Sequence, residues 1–381
     1  MASDWRVVDE RLARVLCAGC GLVRRDPTAS TGASFYASGY ALYGHPPGDA
    51  REQARQDEYA RWIAQGTGRR PRRVLDVGCG NGSLLRALGA HWPDAQLMGC
   101  DPSRESIAQG FGDGLRLWTG TASNLPGDVS ADLVIAVNVI EHTIDPSAFL
   151  TALRAVLQPD GLLVIVCPDG GRPGLDLLFV DHVFSFSREH VGTLLSRAGL
   201  QRLGASQAPR SLGAFQMAIA RRRDATQKKA IPAPVRVNDV RSYLERWREL
   251  DDRLHARVPG PLVCFGAGEA AGLLRAYAPR VWSSVRACTA DGVPAGWFAE
   301  GEPSSSTVFV GSRGDPTLAK AGESRDTFGE LPLVPLDSVA SHETVLVGVR
   351  PADQPRVAAR LAARFPRVVT WYDLVNDEPH V

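Results

Sequence analysis

Short apolar runs alternate with segments of helical periodicity between residues 73 and 220. Each apolar run has the length of a buried strand, and the pattern of strand followed by helix predicts a parallel sheet with helices on both faces. An edge hairpin is predicted at 200–203 and 215–220. The predicted strands are 73–77, 96–100, 115–118, 132–137 and 162–167, the last after a turn at 159–161, with a helix at 83–92.

Two further helices flank this region. The first is predicted at 49–65, where Tyr59, Trp62 and Ile63 form an apolar face. After a linker at 221–235, which contains two closely spaced prolines, a second helix is predicted at 237–257. Its packing stripe has the spacing of one helical face and consists of Tyr243, Trp247, Leu250 and Leu254.

A second set of apolar strands follows, at 262–265, 308–311, 345–349 and 368–371, with an apolar segment at 285–290 and a helix at 270–277. The glycines of the loop 266–272 join the first of these strands to that helix, as in a dinucleotide-binding fold. The last glycine stands one residue later than in the dinucleotide fingerprint, but Asp291 keeps nicotinamide binding open. The sequence therefore predicts an α/β protein with a doubly wound core and a second, smaller Rossmann-like domain at the C-terminus.

Composition narrows the functional classes. The 43 basic and 42 acidic residues give a net charge of +1, so we expect neither nucleic acid nor an anionic membrane as a partner. No apolar run reaches the length of a membrane span, and the N-terminus lacks a signal-peptide pattern. Seven cysteines, mostly within apolar strands, favour a reducing compartment, and we predict a cytoplasmic protein with a small-molecule substrate.

Cys17 and Cys20 form half of a zinc knuckle, followed by Gly21. A structural zinc site needs four ligands, and no second cysteine pair occurs upstream or within the next fifty residues. We therefore predict a vestigial knuckle that holds no metal.

The segment 35–48 is rich in tyrosine and is interrupted by glycine and proline. Two interpretations fit it equally well. Tyr40 and His45 can supply hydroxyl and imidazole groups over a ligand, or the segment can be a packing arm that covers the sheet.

The loop after the first strand of the core carries the clearest chemistry. Glycines at 78, 80 and 82 let the backbone turn sharply and lie against a ligand. Asp76 within the strand end disfavours a pyrophosphate, because two negative charges would meet, and it favours a ligand with an ammonium group. Asp101, at the end of the next strand, is placed to accept both ribose hydroxyls of a nucleoside.

The segments 74–82 (VLDVGCGNG), 138–142 (NVIEH) and 157–169 (LQPDGLLVIVCPD), together with Asp101, resemble class I S-adenosylmethionine-dependent methyltransferases in order and spacing. The resemblance implies that S-adenosylmethionine is the cofactor. It also implies that Pro102 lies beside the adenine and Asn138 near the sulfonium, while Thr121 or Ala122 replaces the acid that the family often places near the adenine amine. The residues that would hold the methionyl end are Asp76, Gly78, Cys79, Gly80 and Gly82.

His182 follows an aspartate just past the fifth strand, at the sheet edge where doubly wound folds bind ligands. An imidazole there can take a proton from the methyl acceptor. The alternatives are a cap for a helix starting near Ser187, a bond to a backbone carbonyl, or simple substrate contact. His142, beside Glu141, is the rival base, although a structural or cofactor-side role suits that pair better.

The order of the segments predicts an N-terminal arm at 1–48, a methyltransferase domain at 49–220, a linker and helix at 221–258, and a Rossmann-like domain at 259–381. This arrangement resembles bacterial sugar C-methyltransferases, which act on nucleotide-linked keto-deoxysugars. The resemblance implies methyl transfer to a small polar metabolite, with His182 as base and Tyr40 and His45 as helpers. An O- or N-methyltransferase of secondary metabolism is the alternative, followed by a nicotinamide oxidoreductase that uses the C-terminal loop.

Overall fold

The computed structural model describes residues 1–3, 7–8, 12–26, 50–110, 114–223, 237–258, 260–291, 327–328 and 330–375. These residues form two compact units. One contains the described residues from 12 to 223, and the other contains those from 238 onward together with 1–3 and 7–8. The tyrosine-rich segment 35–48, most of the linker and the strand predicted at 308–311 lie outside the described residues.

The first unit is built on a seven-stranded sheet in the order β5-β4-β3-β6-β7-β10-β9. Its strands are β3 (Arg73–Val77), β4 (Gln96–Asp101), β5 (Arg116–Thr119), β6 (Ala131–Val137), β7 (Leu157–Pro168), β9 (Leu200–Gln207) and β10 (Phe215–Arg222). The strands β3 to β7 are parallel, and β10 runs antiparallel to both β7 and β9. The predicted doubly wound α/β core and its edge hairpin are confirmed.

Helices cover both faces of this sheet. They are α1 (Ala50–Thr67), α2 (Ser83–His91), α3 (Arg104–Gln109), α4 (Pro146–Val156) and α5 (Arg188–Arg197). Along β6, Leu133 and Ile135 belong to one buried cluster, while Val134 and Ala136 belong to another. Because both faces are covered, the central strands β6 and β7 are mostly apolar rather than alternating, which is what made them recognisable in the sequence.

The predicted turn at 159–161 is wrong, because β7 already begins at Leu157. Ala131 pairs with Leu157, and the next pair along β6 is Leu133 with Leu162, so the intervening residues of β7 form a bulge. Proline and glycine have here marked an irregularity within a strand rather than the loop before it.

A small antiparallel sheet lies in the same unit and consists of β1 (Arg14–Leu16), β2 (Val23–Arg25) and β8 (Phe184–Ser185). The cysteine pair occupies the turn between β1 and β2, where the N–H of Gly21 (φ 72°) donates to the carbonyl of Cys17 at 2.8 Å. This N-terminal hairpin is therefore paired with residues that lie between β7 and β9 in the chain.

The second unit contains a four-stranded parallel sheet in the order β12-β11-β15-β16. Its strands are β11 (Leu262–Phe265), β12 (Val285–Thr289), β15 (Thr344–Val347) and β16 (Arg367–Val369), and a separate hairpin is formed by β13 (Thr327–Phe328) and β14 (Leu331–Pro332). Its helices are α6 (Val237–Arg248), α7 (Leu250–His255), α8 (Glu269–Tyr277), α9 (Pro279–Trp282), α10 (Gln354–Leu361) and α11 (Tyr372–Val375).

The single helix predicted at 237–257 is divided into α6 and α7. Between them, Glu249 has a φ of −90° and a ψ of −4°, which departs from the regular helical conformation. The predicted packing stripe is nevertheless buried at all four positions, with Trp247 against the rings of Tyr277 and Trp371. None of the helices in the described ranges has the length and apolar character needed to cross a bilayer.

Candidate functional site

The glycine loop after β3 adopts backbone conformations that favour glycine. Gly78, Gly80 and Gly82 have φ values of 83°, 53° and 80°. The N–H groups of Gly78 and Cys79 both donate to the carbonyl of Cys100, so the loop is tied to the adjacent strand β4. A Cβ atom at Gly78 would lie 2.4 Å from Cγ2 of Val139, whereas one at Gly80 would meet nothing within 4 Å.

This difference predicts unequal effects for two alanine substitutions in the same loop. Gly80→Ala incurs only the strain of a positive φ, about 1–2 kcal/mol of unfolding free energy. Gly78→Ala incurs the same strain and must also displace Val139, which we expect to cost about 1–3 kcal/mol more. Denaturant unfolding of both variants measures the difference. Equal losses of unfolding free energy in the two variants would contradict the close approach of Gly78 to Val139.

Asp76 is 2% exposed, and its Oδ1 atom has no hydrogen-bond partner among the described residues. Burial, together with the nearby charge of Asp101, raises the pKa of this carboxyl group to about 7. A buried carboxylate without a partner is costly, and a cationic ligand group would compensate for that cost. The geometry therefore suits the ammonium end of a ligand, as the sequence predicts.

Asp101 ends β4, the strand that pairs with β3, where Asp76 lies opposite Gly99. Its Oδ2 atom accepts a hydrogen bond from the N–H of Gly80 at 2.9 Å, and its Oδ1 atom accepts one from Ser103 at 2.8 Å. Burial raises the pKa of Asp101, while these two N–H groups act in the opposite direction. The carboxylate is thus oriented by the glycine loop, and its remaining lone pairs are suited to ribose hydroxyls. Pro102 follows it and is half-buried.

Asn138 follows β6, the other neighbour of β3. It has a φ of 56°, the one positive φ among the described non-glycine residues, and its buried Oδ1 atom has no partner there. Such strain is often found at functional sites. Thr121 and Ala122 lie beyond β5, where Thr121 caps a 3₁₀ helix and is exposed while Ala122 is buried. The sheet thus places Asp76, Asp101 and Asn138 at the carboxyl ends of three adjacent strands.

His142 and His182 are brought together from loops that are far apart in the sequence. Their ring centroids are 4.7 Å apart with an interplanar angle of 89°. Nδ1 of His142 lies 3.1 Å from the carbonyl oxygen of Asp181 and 3.6 Å from its Oδ2. Burial lowers the pKa of His182 well below its ordinary value, and His142 and Arg14 lower it further. Burial also lowers the pKa of His142, against the opposing effect of Asp181.

His182 does not cap the following helix. Ser187 performs that function, with His190 completing a capping box. The Nδ1 atom of His182 is buried and has no partner among the described residues. His182 therefore has a ring nitrogen without a hydrogen-bond partner in that part of the chain, and its ring lies next to that of His142. His142 belongs to the loop that Asn138 begins at the carboxyl edge of the sheet.

Glu141 completes this cluster. It is 2% exposed, and neither of its carboxylate oxygens has a hydrogen-bond partner in the described ranges. Burial raises its pKa to about 8, with Asp176 and Asp181 contributing in the same direction. The sequence pointed to Glu141 only as a neighbour of His142, because nothing in a single sequence shows that a carboxyl group is buried without a partner.

The potential ligand atoms of Glu141, His142 and His182 all lie within 4.8 Å of one another. This spacing is short enough for the three groups to share one divalent cation. The sequence predicts no metal in this protein, and that stays a prediction. Elemental analysis of the purified protein tests it, and a stoichiometric metal that is lost in Glu141→Gln would contradict it.

Two other predicted sites have different outcomes. Tyr40 and His45 lie outside the described residues.

In the second unit, Gly266 has a φ of 128°, and an added Cβ atom would lie 2.2 Å from the carbonyl oxygen of Gly348. Asp291 forms an ion pair with Arg360 at 2.8 Å. The close approach of Gly348, the residue after β15, therefore explains why position 266 requires a glycine. No dinucleotide is needed to explain it.

Part of the first unit is similar to known proteins. Residues 51–203 match the family model described as "Methyltransferase domain". The ubiquinone biosynthesis O-methyltransferase of Bradyrhizobium diazoefficiens is 36% identical over 99 residues, which cover 24% of this chain and 38% of that protein. The corresponding protein of Parvibaculum lavamentivorans is 34% identical over 101 residues, which cover 24% of this chain and 39% of that protein. The chain thus spans about two fifths of these relatives.

Among solved structures, the 1,6-didemethyltoxoflavin-N1-methyltransferase of Burkholderia thailandensis has a TM-score of 0.40 and 18% identity, with coverage of 55% of this chain and 98% of that one. The mitomycin 7-O-methyltransferase MmcR has a TM-score of 0.39 and 19% identity, with coverage of 45% and 54% respectively.

Proposed function

We propose, on the premise that residues 51–203 form a methyltransferase domain, that this protein transfers a methyl group from S-adenosylmethionine to a small polar molecule. The observation that carries the proposal is the buried carboxylate of Asp76, whose Oδ1 atom lacks a partner among the described residues, beside a loop in which three glycines have positive φ values. A cofactor with an ammonium group supplies that partner. Asp101 and Asn138, on the two neighbouring strands, suit the ribose and the region of the sulfonium.

The cofactor, when bound, supplies an electrophilic methyl group on sulfur. The protein's own contribution is to align the acceptor, exclude water and receive the acceptor's proton. We assign the last role to His182. It is buried, its lowered pKa keeps the ring neutral and so able to accept a proton, and its Nδ1 atom has no hydrogen-bond partner among the described residues. The acceptor atom would gain the methyl group as the bond between that methyl and sulfur breaks, with S-adenosylhomocysteine as the leaving group, and would give its proton to His182. His142, placed edge-on to that ring and held by Asp181, orients it.

A nucleotide-linked keto-sugar is the acceptor that we favour. A carbon next to a keto group is a weak acid, and its deprotonation requires a base in a site shielded from water. The buried His182, next to the half-buried His142, meets that requirement. The buried carboxyl group of Glu141, with a pKa of about 8, can remain protonated near neutral pH and donate a hydrogen bond to the developing enolate. An O- or N-methyltransferase of secondary metabolism is the alternative, since the same base serves a hydroxyl or an amine.

Calorimetry with S-adenosylhomocysteine and with NADH tests the cofactor. We expect S-adenosylhomocysteine to bind with one site per chain and NADH not to bind. Binding of NADH alone would overturn the proposal and favour an oxidoreductase that acts through the second unit.

Single-turnover reactions with methyl-labelled S-adenosylmethionine test the acceptor class. Nucleotide-linked keto-deoxysugars, catechols and small amines serve as the panel. Labelled product with the keto-sugars supports C-methylation, whereas product with catechols or amines alone would favour the O- or N-methyltransferase. Reduction of a keto-sugar product to its alcohol, followed by mass spectrometry, locates the new methyl group on carbon or oxygen.

A further inference from the structure

We propose that Arg14, in the N-terminal hairpin, is a positioning residue that holds the segment 176–182 and thereby the ring of His182. The inference rests on the proposed function for the importance of His182, but its own test does not require methyl transfer. It gives the hairpin around the cysteine pair a role that needs no metal.

The guanidinium group of Arg14 binds the main chain of this segment at four points. Nη1 donates to the carbonyl of His182 at 2.5 Å, and Nη2 donates to the carbonyl of Phe179 at 2.6 Å. Further bonds reach Leu177 at 2.9 Å and Asp176 at 3.3 Å. One planar donor group thus joins the two ends of the segment, which a lysine ammonium, with a single nitrogen, cannot do.

Arg25, on the second strand of the hairpin, strengthens the same attachment. It is 4% exposed, and its Nη1 atom donates to the carbonyl of Val180 at 2.7 Å. Its backbone N–H donates to the carbonyl of Val183, and β2 pairs with β8 directly afterwards. The hairpin therefore contacts the segment before, at and after His182.

The segment depends on these donors because little regular structure supports it. Its start is a single 3₁₀ helix, Leu175–Leu178, and residues 176–182 are all buried. Buried carbonyl groups without a donor are costly, so the segment would rearrange if the guanidinium were lost. Asp181, which contacts His142, belongs to the same segment, and both imidazoles would lose their arrangement together.

The test compares Arg14→Lys with Arg24→Lys, a matched change at an exposed position on β2 of the same hairpin. Hydrogen exchange is followed at the amide of Val183, which donates to the carbonyl of Glu141. We expect exchange about tenfold faster in Arg14→Lys, because the loss of hydrogen bonds to the segment favours its local opening. Arg24→Lys should match the unmodified protein.

Histidine ring NMR provides the second readout, with the His182 signal identified by its absence in His182→Asn. In Arg14→Lys this signal should shift or broaden, while affinity for S-adenosylhomocysteine stays within about twofold of the unmodified protein, since the Asp76 loop is untouched.

An unchanged ring signal and unchanged exchange would overturn the inference. Failure of the unmodified protein to bind S-adenosylhomocysteine would instead count against the proposed function. Should Arg14→Lys not fold, Arg25→Lys, which alters the side-chain bond to Val180, serves for the same measurements.

Discussion

Asp76→Asn is expected to weaken the binding of S-adenosylhomocysteine by about 10- to 100-fold, the usual value of a hydrogen bond to a charged group. The substitution keeps the shape of the side chain and removes its charge, so the ligand's ammonium group loses its carboxylate. Calorimetry measures the change. Asp94→Asn, at an exposed loop position, is the matched control and should bind as the unmodified protein does.

The same residue predicts a pH dependence. Its carboxyl pKa is raised from 3.8 to about 7 in the free protein, so it becomes protonated as the pH falls below 7. Because the ammonium ligand needs the carboxylate, affinity should fall by up to tenfold per pH unit below 7, and binding at pH 6 should release a proton. Asp76→Asn should lack both effects. A pH-independent affinity in the unmodified protein would contradict the assignment.

The stability of the free protein provides a check on folding. A raised pKa means that the folded state binds more protons than the unfolded state between pH 3.8 and 7. The contribution of Asp76 to stability is therefore present at low pH and is lost as the pH rises towards 7. Asp76→Asn removes an uncompensated buried charge, so at pH 8 this variant should be at least as stable as the unmodified protein. Weaker binding without loss of stability would locate the defect in the ligand contact.

His182→Asn is expected to lower the single-turnover rate of methyl transfer by about 10²- to 10⁴-fold, the usual contribution of a general base. Affinity for S-adenosylhomocysteine should remain within about twofold, since His182 lies in a different loop from Asp76. The rate is measured with labelled cofactor and the acceptor found in the panel above. His91→Asn, at an exposed helix end, is the control. A full rate in His182→Asn would remove this residue from the proposed role.

His142→Asn separates the two imidazoles. If His142 orients His182 without taking the proton, its loss should cost less, about 10-fold. A larger loss in His142→Asn than in His182→Asn would reverse their assignment.

Much of the first unit could be predicted because its central strands are buried on both faces and are therefore mostly apolar, as the uninterrupted apolar run at 162–167 shows. The positions of Asp76 and Asp101 followed from strand ends, since parallel strands end at one edge of a sheet. The start of β7 and the break at Glu249 could not be predicted, because both arise from local departures from regular pairing that leave the hydrophobic pattern intact.

The sequence by itself determined the α/β core, the glycine loop and the acidic residues beside it, because these depend on local patterns of hydrophobicity and backbone freedom. Only the tertiary structure decided that the buried Glu141 and His182 form one cluster with the half-buried His142. It alone also decided that Arg14, far away along the chain, holds the segment that carries His182. The physical reason is that burial and unpaired polar atoms result from contacts between distant segments, which no local pattern of residue types records.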